Sequence, residues 1–105
     1  MQEAVTRLVA ITPQLTDDLD AASLEVATGL LDRLVLPLSE EEVQALLSVL
    51  PANGDTAFGL NWTILHSIEA APSWPIWAAL KEQSHEWVRV FLIRLKNAGM
   101  AAPTV

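Results

Sequence analysis

The most informative segment of the sequence is Gly59-Leu60-Asn61-Trp62-Thr63-Ile64-Leu65-His66-Ser67-Ile68-Glu69, which leads into Ala70-Ala71-Pro72-Ser73-Trp74-Pro75-Ile76-Trp77. The two runs together hold three of the four tryptophans, one of the two histidines and an isolated glutamate. Apolar residues recur in the first run with helical spacing. We therefore expect a helix followed by a proline-bounded turn, at a position that the fold specifies closely.

Helical spacing of apolar residues extends over nearly the whole chain, and no segment alternates as a strand does. Prolines separate the periodic segments, as expected of residues that end helices. The pattern predicts an all-α domain of five or six short helices, arranged as HEAT-like helical hairpins or as a compact bundle. The predicted helices are Gln2 to Ile11, Leu19 to Val35, Ser39 to Leu50, Ala57 to Ala70, Ser73 to Gln83 and His85 to Asn97.

Capping signals locate the ends of these helices. Ser39 and Glu42 have the spacing of a capping box, in which each side chain binds the backbone N–H of the other residue. Gly29 interrupts the second predicted helix at a cost of about 1 kcal/mol relative to alanine, so we expect it to allow a close helix contact. The other predicted caps are Thr16 with Asp17 and Asp18, Asp55 or Thr56, Ser84, and Gly99 after the last helix.

Length and composition are those of one well-filled domain. The 105 residues are enough for a single domain, which we expect to span the chain and to end in a loose tail at 100–105. The chain is 51% hydrophobic, but no apolar run approaches the roughly 18–20 residues of a membrane span. Its start, Met1-Gln2-Glu3-Ala4, lacks the basic region of a signal peptide. We expect a cytoplasmic protein, and the absence of cysteine excludes disulfides and thiol chemistry.

Charge is distributed unevenly along the chain. The formal net charge is −7, and residues 1–69 carry eleven acidic side chains but only two basic ones, Arg7 and Arg33. Residues 70–105 carry two acidic and four basic side chains. A negative field repels nucleic-acid phosphates and attracts basic surfaces. The charge therefore argues against nucleic-acid binding and suits a basic protein partner, although acidic surfaces are also common in soluble proteins that have no such partner.

His66 and Glu69 come nearest to a chemical site, because they lie three residues apart on one helix face. Di-iron bundles use a related Glu-x-x-His spacing but need two such motifs, and a zinc site needs three or four ligands. The sequence offers this one pair. It also lacks a Gly-x-Ser-x-Gly nucleophile motif and a glycine-rich phosphate loop. We therefore expect neither catalysis nor a bound metal or cofactor.

A structural role explains the same polar pair. Phe58, Trp62 and Leu65 share one face of the predicted helix, and Glu69 lies on its flank. A charge among apolar groups must be paired. We expect Glu69 to pair with Arg94 of the last helix, and His66 to form a hydrogen bond with a nearby backbone or side-chain group. The residues predicted to hold the scaffold are Trp62, His66, Glu69, Trp87 and Arg94.

Binding residues are predicted from exposure and charge. Tryptophan at helical spacing usually belongs to a core, but Trp74 lies in a proline-bounded turn and is the best candidate for an exposed interface anchor. Acidic residues cluster at the starts of successive predicted helices, where the helix dipole favours them locally. Such helix starts could form one binding edge. The predicted partner-binding residues are Asp17, Asp18, Asp20, Glu40, Glu41, Glu42, Asp55 and Trp74.

The order of motifs over roughly residues 55–98 resembles that of small helical immunity proteins of bacterial polymorphic-toxin and contact-dependent growth-inhibition systems. In that family a Leu-His-x-Ile-Glu segment precedes a tryptophan-containing helix that ends in Arg-x-x-Asn. The corresponding residues here are Leu65-His66-Ser67-Ile68-Glu69, Glu86-Trp87-Val88 and Arg94-Leu95-Lys96-Asn97. The resemblance implies a toxin inhibitor that acts by direct contact and without catalysis.

Two classes of function remain from the sequence. The first is an immunity protein that binds and neutralises a basic toxin domain through its acidic helix starts. The second is a helical adaptor or structural subunit that self-associates through an apolar helix face, which the high hydrophobic content favours. A small enzyme or metal protein is the third and least supported reading.

Overall fold

The computed structural model describes residues 1–100, and over this range the chain is all-helical, as the sequence predicted. The predicted tail lies outside the described residues except for Met100. A single turn of 3₁₀ helix, Trp77–Ala79, precedes the last helix. The α-helices are α1 (Glu3–Ile11), α2 (Ala21–Asp32), α3 (Glu40–Ser48), α4 (Leu60–Glu69) and α5 (Glu86–Asn97).

The first four helices pack as two pairs. Helix α1 contacts α2, and α3 contacts α4. Between the pairs, α1 contacts α3 and α2 contacts α4. These contacts form a ring of four neighbouring helices, which is compatible with both arrangements predicted from the sequence, stacked hairpins and a compact bundle. The described chain measures 44 × 26 × 19 Å along its principal axes.

One apolar cluster joins all five helices. Burial of apolar side chains provides most of the stabilisation of such a domain. Trp87 and Phe91 of α5 are the largest fully buried side chains. Loops also contribute, because Leu15, Leu38 and Ala57 are fully or almost fully buried. The remaining fully buried large side chains are Val5, Leu8, Val43, Leu46, Leu50, Ile64, Leu65 and Ile68.

Helix α2 is shorter than predicted at both ends. Its N-cap is Asp20, whose Oδ1 accepts a hydrogen bond of 2.7 Å from the backbone N–H of Ser23. This bond places the helix start at Ala21, so Asp17 and Asp18 lie in the preceding loop and not in a first helical turn. The helix ends at Asp32, three residues before the predicted end at Val35.

Helix α4 begins three residues later than predicted, because the backbone before it is left-handed. Ala57, Phe58 and Gly59 have φ angles of 48°, 56° and 91°. A left-handed conformation costs a non-glycine residue about 1–2 kcal/mol, whereas glycine adopts it readily. Gly59 is the N-cap, and neither Asp55 nor Thr56 has the capping role we expected.

The helix predicted from Ser73 to Gln83 is reduced to the 3₁₀ turn Trp77–Ala79. Proline disfavours a helical conformation at the residue before it, so Pro75 works against a helix that starts at Ser73 and includes Trp74. Ser84 does not cap α5, because its hydroxyl donates to the carboxylate of Glu82 at 2.6 Å. His85 caps the helix instead, with Nδ1 accepting from the N–H of Val88.

Two predicted helix ends are confirmed. Ser39 Oγ accepts from the N–H of Glu42 at 3.2 Å, and Glu42 Oε1 accepts from the N–H of Ser39 at 2.9 Å, which completes the capping box. Gly99 follows α5 with φ of 80°. Its N–H donates to the carbonyl of Lys96, and the N–H of Met100 donates to Leu95, which is the Schellman pattern of helix termination.

Gly29 does not make the close helix contact we expected, and its replacement by alanine should stabilise the protein. A methyl group built on Gly29 has no heavy atom within 4 Å outside the immediate backbone. Removing the flexibility of glycine from a helix interior is worth about 0.5–1 kcal/mol. We expect Gly29→Ala to raise the free energy of unfolding in urea by this amount. Thr28→Ala on the exposed side of α2 is the control, and a loss of stability in Gly29→Ala would reveal a contact at this position.

Candidate functional site

Two aspartates organise the loop between α3 and α4. The N–H of Asp17 donates to both carboxylate oxygens of Asp55, at 3.1 Å each. Asp55 Oδ1 also accepts from the N–H of Ala57 at 2.8 Å, and Asp17 Oδ1 accepts from the N–H of Phe58 at 2.9 Å. These backbone donors, that of Ala57 first, lower the pKa of Asp55 from its ordinary value. The carboxylates therefore bind two consecutive left-handed residues.

Two buried side chains complete this arrangement from the opposite side. Asn61 is fully buried, and its Nδ2 donates to the carbonyl oxygens of Leu15 at 3.0 Å and of Asp55 at 2.9 Å. The indole Nε1 of Trp87 donates to the same Asp55 carbonyl at 3.0 Å. We call Asp17, Asp55, Asn61 and Trp87 the Asp55 hub. It joins α4, α5 and two loops that are far apart in sequence.

The hub leaves two aromatic side chains at the surface. Phe58 is 60% exposed and Trp62 is 40% exposed, whereas Leu65, expected on the same buried face, is fully buried. Trp62 packs edge-on against buried Trp87, with ring centroids 5.1 Å apart and planes at 74°. We call Phe58 and Trp62 the aromatic patch. The predicted helix face is not formed as expected, because Phe58 lies in the left-handed turn before α4 and not in the helix.

Trp74 is not the exposed anchor we expected. It is partly buried and packs on the core, with its ring centroid 4.8 Å from that of Phe91. Its Nε1 is buried without a hydrogen-bond partner among the described residues. Trp87, by contrast, has the scaffold position predicted for it. Trp62, expected to hold the scaffold, is thus more exposed than Trp74, expected to be the anchor.

The predicted acidic binding residues fall into two groups. Asp20 and Glu42 are occupied as caps, and Glu42 is buried with Oε2 accepting from the N–H of Gln2 at 2.8 Å. Backbone donors, that of Ser39 first and then Gln2, lower the pKa of Glu42. Glu42 is therefore unsuited to a partner contact. Of the others, Asp55 is half-buried in the hub, and Asp17, Asp18, Glu40 and Glu41 are exposed, as the capping residue Asp20 also is.

The contribution of Glu42 to the stability of the fold should decrease at acidic pH. Its lowered pKa means that the ionised form stabilises the fold above the ordinary glutamate value of about 4.3 and that this contribution is lost as the pH falls toward the lower folded-state pKa. We expect Glu42→Ala to cost about 1–3 kcal/mol at pH 7, because two backbone donors lose their acceptor. Urea denaturation at pH 7 and pH 3 measures the difference, with exposed Glu41→Ala as control. A penalty that did not shrink in acid would contradict this role.

The ion pair predicted between α4 and α5 is confirmed. Arg94 Nε donates to Glu69 Oε2 at 2.7 Å, and its Nη2 donates to Oε1 at 2.8 Å. This side-on geometry uses both carboxylate oxygens and raises the pKa of Arg94. His66 Nδ1 lies 3.8 Å from Glu69 Oε1, beyond hydrogen-bonding distance, and its side chain is 64% exposed. The expectation that the side chain of His66 forms a hydrogen bond is therefore wrong for this pair.

Glu69→Ala should lower the melting temperature by a few degrees. The side chain of Glu69 is 24% exposed and that of Arg94 is 41% exposed, so solvent screens the pair in part. Arg94→Ala and the double variant complete a mutant cycle, in which we expect the second substitution to cost less than the first. Glu3→Ala, which removes a looser exposed contact with Arg7, is the control. Strict additivity of the two losses would mean that the pair contributes no coupling energy.

The remaining features provide little for chemistry. A groove of about 440 Å³ lies between α3 and α5, but its one imidazole, His85, is already engaged with Leu50 and Val88. Within residues 1–100, no group of three or more His, Asp or Glu side chains is placed to hold a metal ion. Over the same range, no helix combines the length and apolar character needed to cross a membrane.

No protein-family model, no curated protein and no solved structure matches this chain.

Proposed function

We propose that this chain is an immunity protein, which acts in the cytoplasm by binding the basic surface of a toxin domain and neutralising it without catalysis. The observation that carries the proposal is the charge distribution, with eleven acidic and two basic side chains in residues 1–69. A surface of this kind accelerates encounter with a basic partner and disfavours acidic ones.

Both arginines of α5 are paired with acidic side chains within the fold. Arg89 pairs with Glu86, and Arg94 in the last turn pairs with Glu69. Their charges are therefore offset locally, whereas Asp17, Asp18, Glu40 and Glu41 are exposed. This distribution of charge favours a basic protein partner over a nucleic acid, because the exposed carboxylates repel phosphate groups.

The choice of a toxin as the partner rests on the motif resemblance over residues 55–98. In the resembling family, inhibition is achieved by covering the active or substrate-binding surface of the toxin. Two of the resembling positions, Glu69 and Arg94, form the ion pair that joins α4 to α5. Such a scaffold needs no catalytic group of its own, which is consistent with direct contact as the mode of inhibition.

Co-expression with a toxin domain tests the proposal. The proposal predicts that a large toxin is encoded immediately upstream of the gene for this chain, and the C-terminal domain of that toxin is the one to test. We expect the chain to restore growth, to form a purified complex with the toxin domain, and to bind it less tightly as the salt concentration rises. A toxin domain from an unrelated system is the matched control. The absence of both protection and complex would refute the proposal.

A self-associating adaptor is the second candidate, and one observation favours it. Val35 and Leu36 are 70% and 49% exposed in the loop after α2, and Val26 on that helix is 45% exposed. Light scattering across a concentration series separates the two candidates. A stable homo-oligomer that disperses on Val35→Ser and Leu36→Ser substitution would favour the adaptor, and a monomer would favour the immunity protein.

A further inference from the structure

We propose that the aromatic patch of Phe58 and Trp62 anchors the contact with a protein partner, and that it receives arginine or lysine side chains from that partner. The inference rests on the proposed function in taking a basic protein as the occupant. Neither Phe58 nor Trp62 was among the partner-binding residues predicted from the sequence. The aromatic patch thus replaces Trp74 as the anchor.

The backbone conformation is the first argument. Phe58 adopts a left-handed φ of 56°, directly after Ala57 at 48°, and neither residue is glycine. Hydrogen bonds from these two N–H groups to Asp17 and Asp55 hold the strained turn in place. The turn buries Ala57 completely but leaves Phe58 60% exposed. Because the strained backbone does not bury the ring of Phe58, we look for a role of this ring at the surface.

Rigidity of the second ring is the next argument. Trp62 lies in the first turn of α4, and its ring rests edge-on against Trp87, which is 1% exposed. Trp87 is in turn fixed by its hydrogen bond to the Asp55 carbonyl. Aromatic anchors that are already ordered lose little entropy on binding, which is a property of interface hot spots.

Charge identifies the occupant. The carboxylate of Asp17 binds the N–H of Phe58 itself, and exposed Asp18 follows directly in the chain. Between Arg33 and Lys81 the sequence has no lysine or arginine, so the segment that carries the patch supplies no cation of its own. A guanidinium or ammonium group binds the faces of aromatic rings and pairs with carboxylates at the same time. A surface of arginine and lysine with apolar neighbours is therefore the complementary partner.

Chemical-shift mapping tests the assignment with a defined probe. The ¹⁵N-labelled chain is titrated with a synthetic peptide of alternating arginine and glycine, and separately with the matched glutamate–glycine peptide. We expect the arginine peptide to shift the indole signal of Trp62 and the amide signals of Phe58 and Gly59 in a saturable way, with smaller shifts at Trp74 and Trp77. The glutamate peptide should shift none of them. Shifts centred on Glu40 and Glu41 would overturn the assignment.

Substitutions give the second arm of the test. The Phe58→Ala/Trp62→Leu variant should bind the arginine peptide about tenfold more weakly, whereas Ile93→Ala, which shortens an exposed apolar side chain elsewhere, should bind as the unsubstituted chain does. Thermal unfolding verifies that each variant is folded. If the loss of the Trp62 contact unfolds the double variant, Phe58→Ala alone replaces it in the binding measurement, because Phe58 packs little.

The toxin domain separates this inference from the proposed function. If the unsubstituted chain and the Phe58→Ala/Trp62→Leu variant bind the toxin domain equally well, the proposed function holds and the surface assignment fails. If the toxin domain is not bound but the arginine peptide still maps to the aromatic patch, the proposed function fails and the surface assignment stands. Concentration-dependent oligomers that the double substitution abolishes would identify a second copy of this chain as the occupant and overturn the inference.

Discussion

Replacement of Trp87 by alanine is expected to lower the free energy of unfolding by about 3–5 kcal/mol. The indole is 1% exposed and is among the largest fully buried side chains, so its removal leaves a cavity that the surrounding helices can fill only in part. The Asp55 carbonyl also loses a hydrogen-bond donor, and Trp62 loses the ring on which it rests. Because domains of this size are stable by only about 5–15 kcal/mol, we expect a marginally folded variant.

Two further variants separate the contributions of Trp87. Trp87→Phe keeps an aromatic ring in the core but removes the N–H, and we expect it to cost about 1–3 kcal/mol. Trp62→Phe, at a 40% exposed position on the other side of the same contact, should cost less than Trp87→Phe. Urea denaturation followed by far-ultraviolet circular dichroism is the suitable measurement, because the substitutions alter fluorescence directly. A cost below about 1 kcal/mol for Trp87→Ala would contradict the central position of this residue.

Features that depend on residues close in sequence were predictable. The capping box needs only Ser39 and Glu42 three positions apart, and the end of α5 needs only a glycine where the backbone turns left-handed. The ion pair of Glu69 with Arg94 was also predictable, because a partly buried carboxylate needs a partner and the last helix offered few. Each of these features follows either from the spacing of residues close in sequence or from the small number of arginines available as partners.

The Asp55 hub was not predictable, because it joins residues 17, 55, 61 and 87 through backbone atoms. No spacing rule relates a carboxylate to a backbone N–H 41 residues away, as in the bond from Phe58 to Asp17. Propensity also misled the assignment, since a phenylalanine beside helical residues favours a right-handed conformation. Gly59 was the available signal, because a glycine before a helix permits a left-handed entry.

The conservative change Asn61→Asp should be among the most destabilising in the protein, although the two side chains have nearly the same shape. Asn61 is fully buried and donates from Nδ2 to the carbonyls of Leu15 and Asp55, whereas its Oδ1 has no hydrogen-bond partner among the described residues. An ionised aspartate would place oxygen against two carbonyl oxygens, near the carboxylate of Asp55. An uncompensated buried charge costs about 3–5 kcal/mol.

The loss in Asn61→Asp should depend on pH in a defined direction. Burial raises the pKa of the new carboxyl in the folded state, while the unfolded chain keeps the ordinary aspartate value of about 3.9. The folded state then binds the extra proton, so the penalty relative to the unsubstituted chain is smallest below that value and grows as the pH rises toward the raised pKa. Asn61→Ala also removes both donors but adds no charge, so its penalty, about 2–3 kcal/mol, should not vary with pH. Urea denaturation of all three proteins at pH 4 and pH 8 measures these differences. Equal penalties for Asn61→Asp at the two pH values would show that the carboxylate reaches water, and that the hub is looser than its hydrogen bonds indicate.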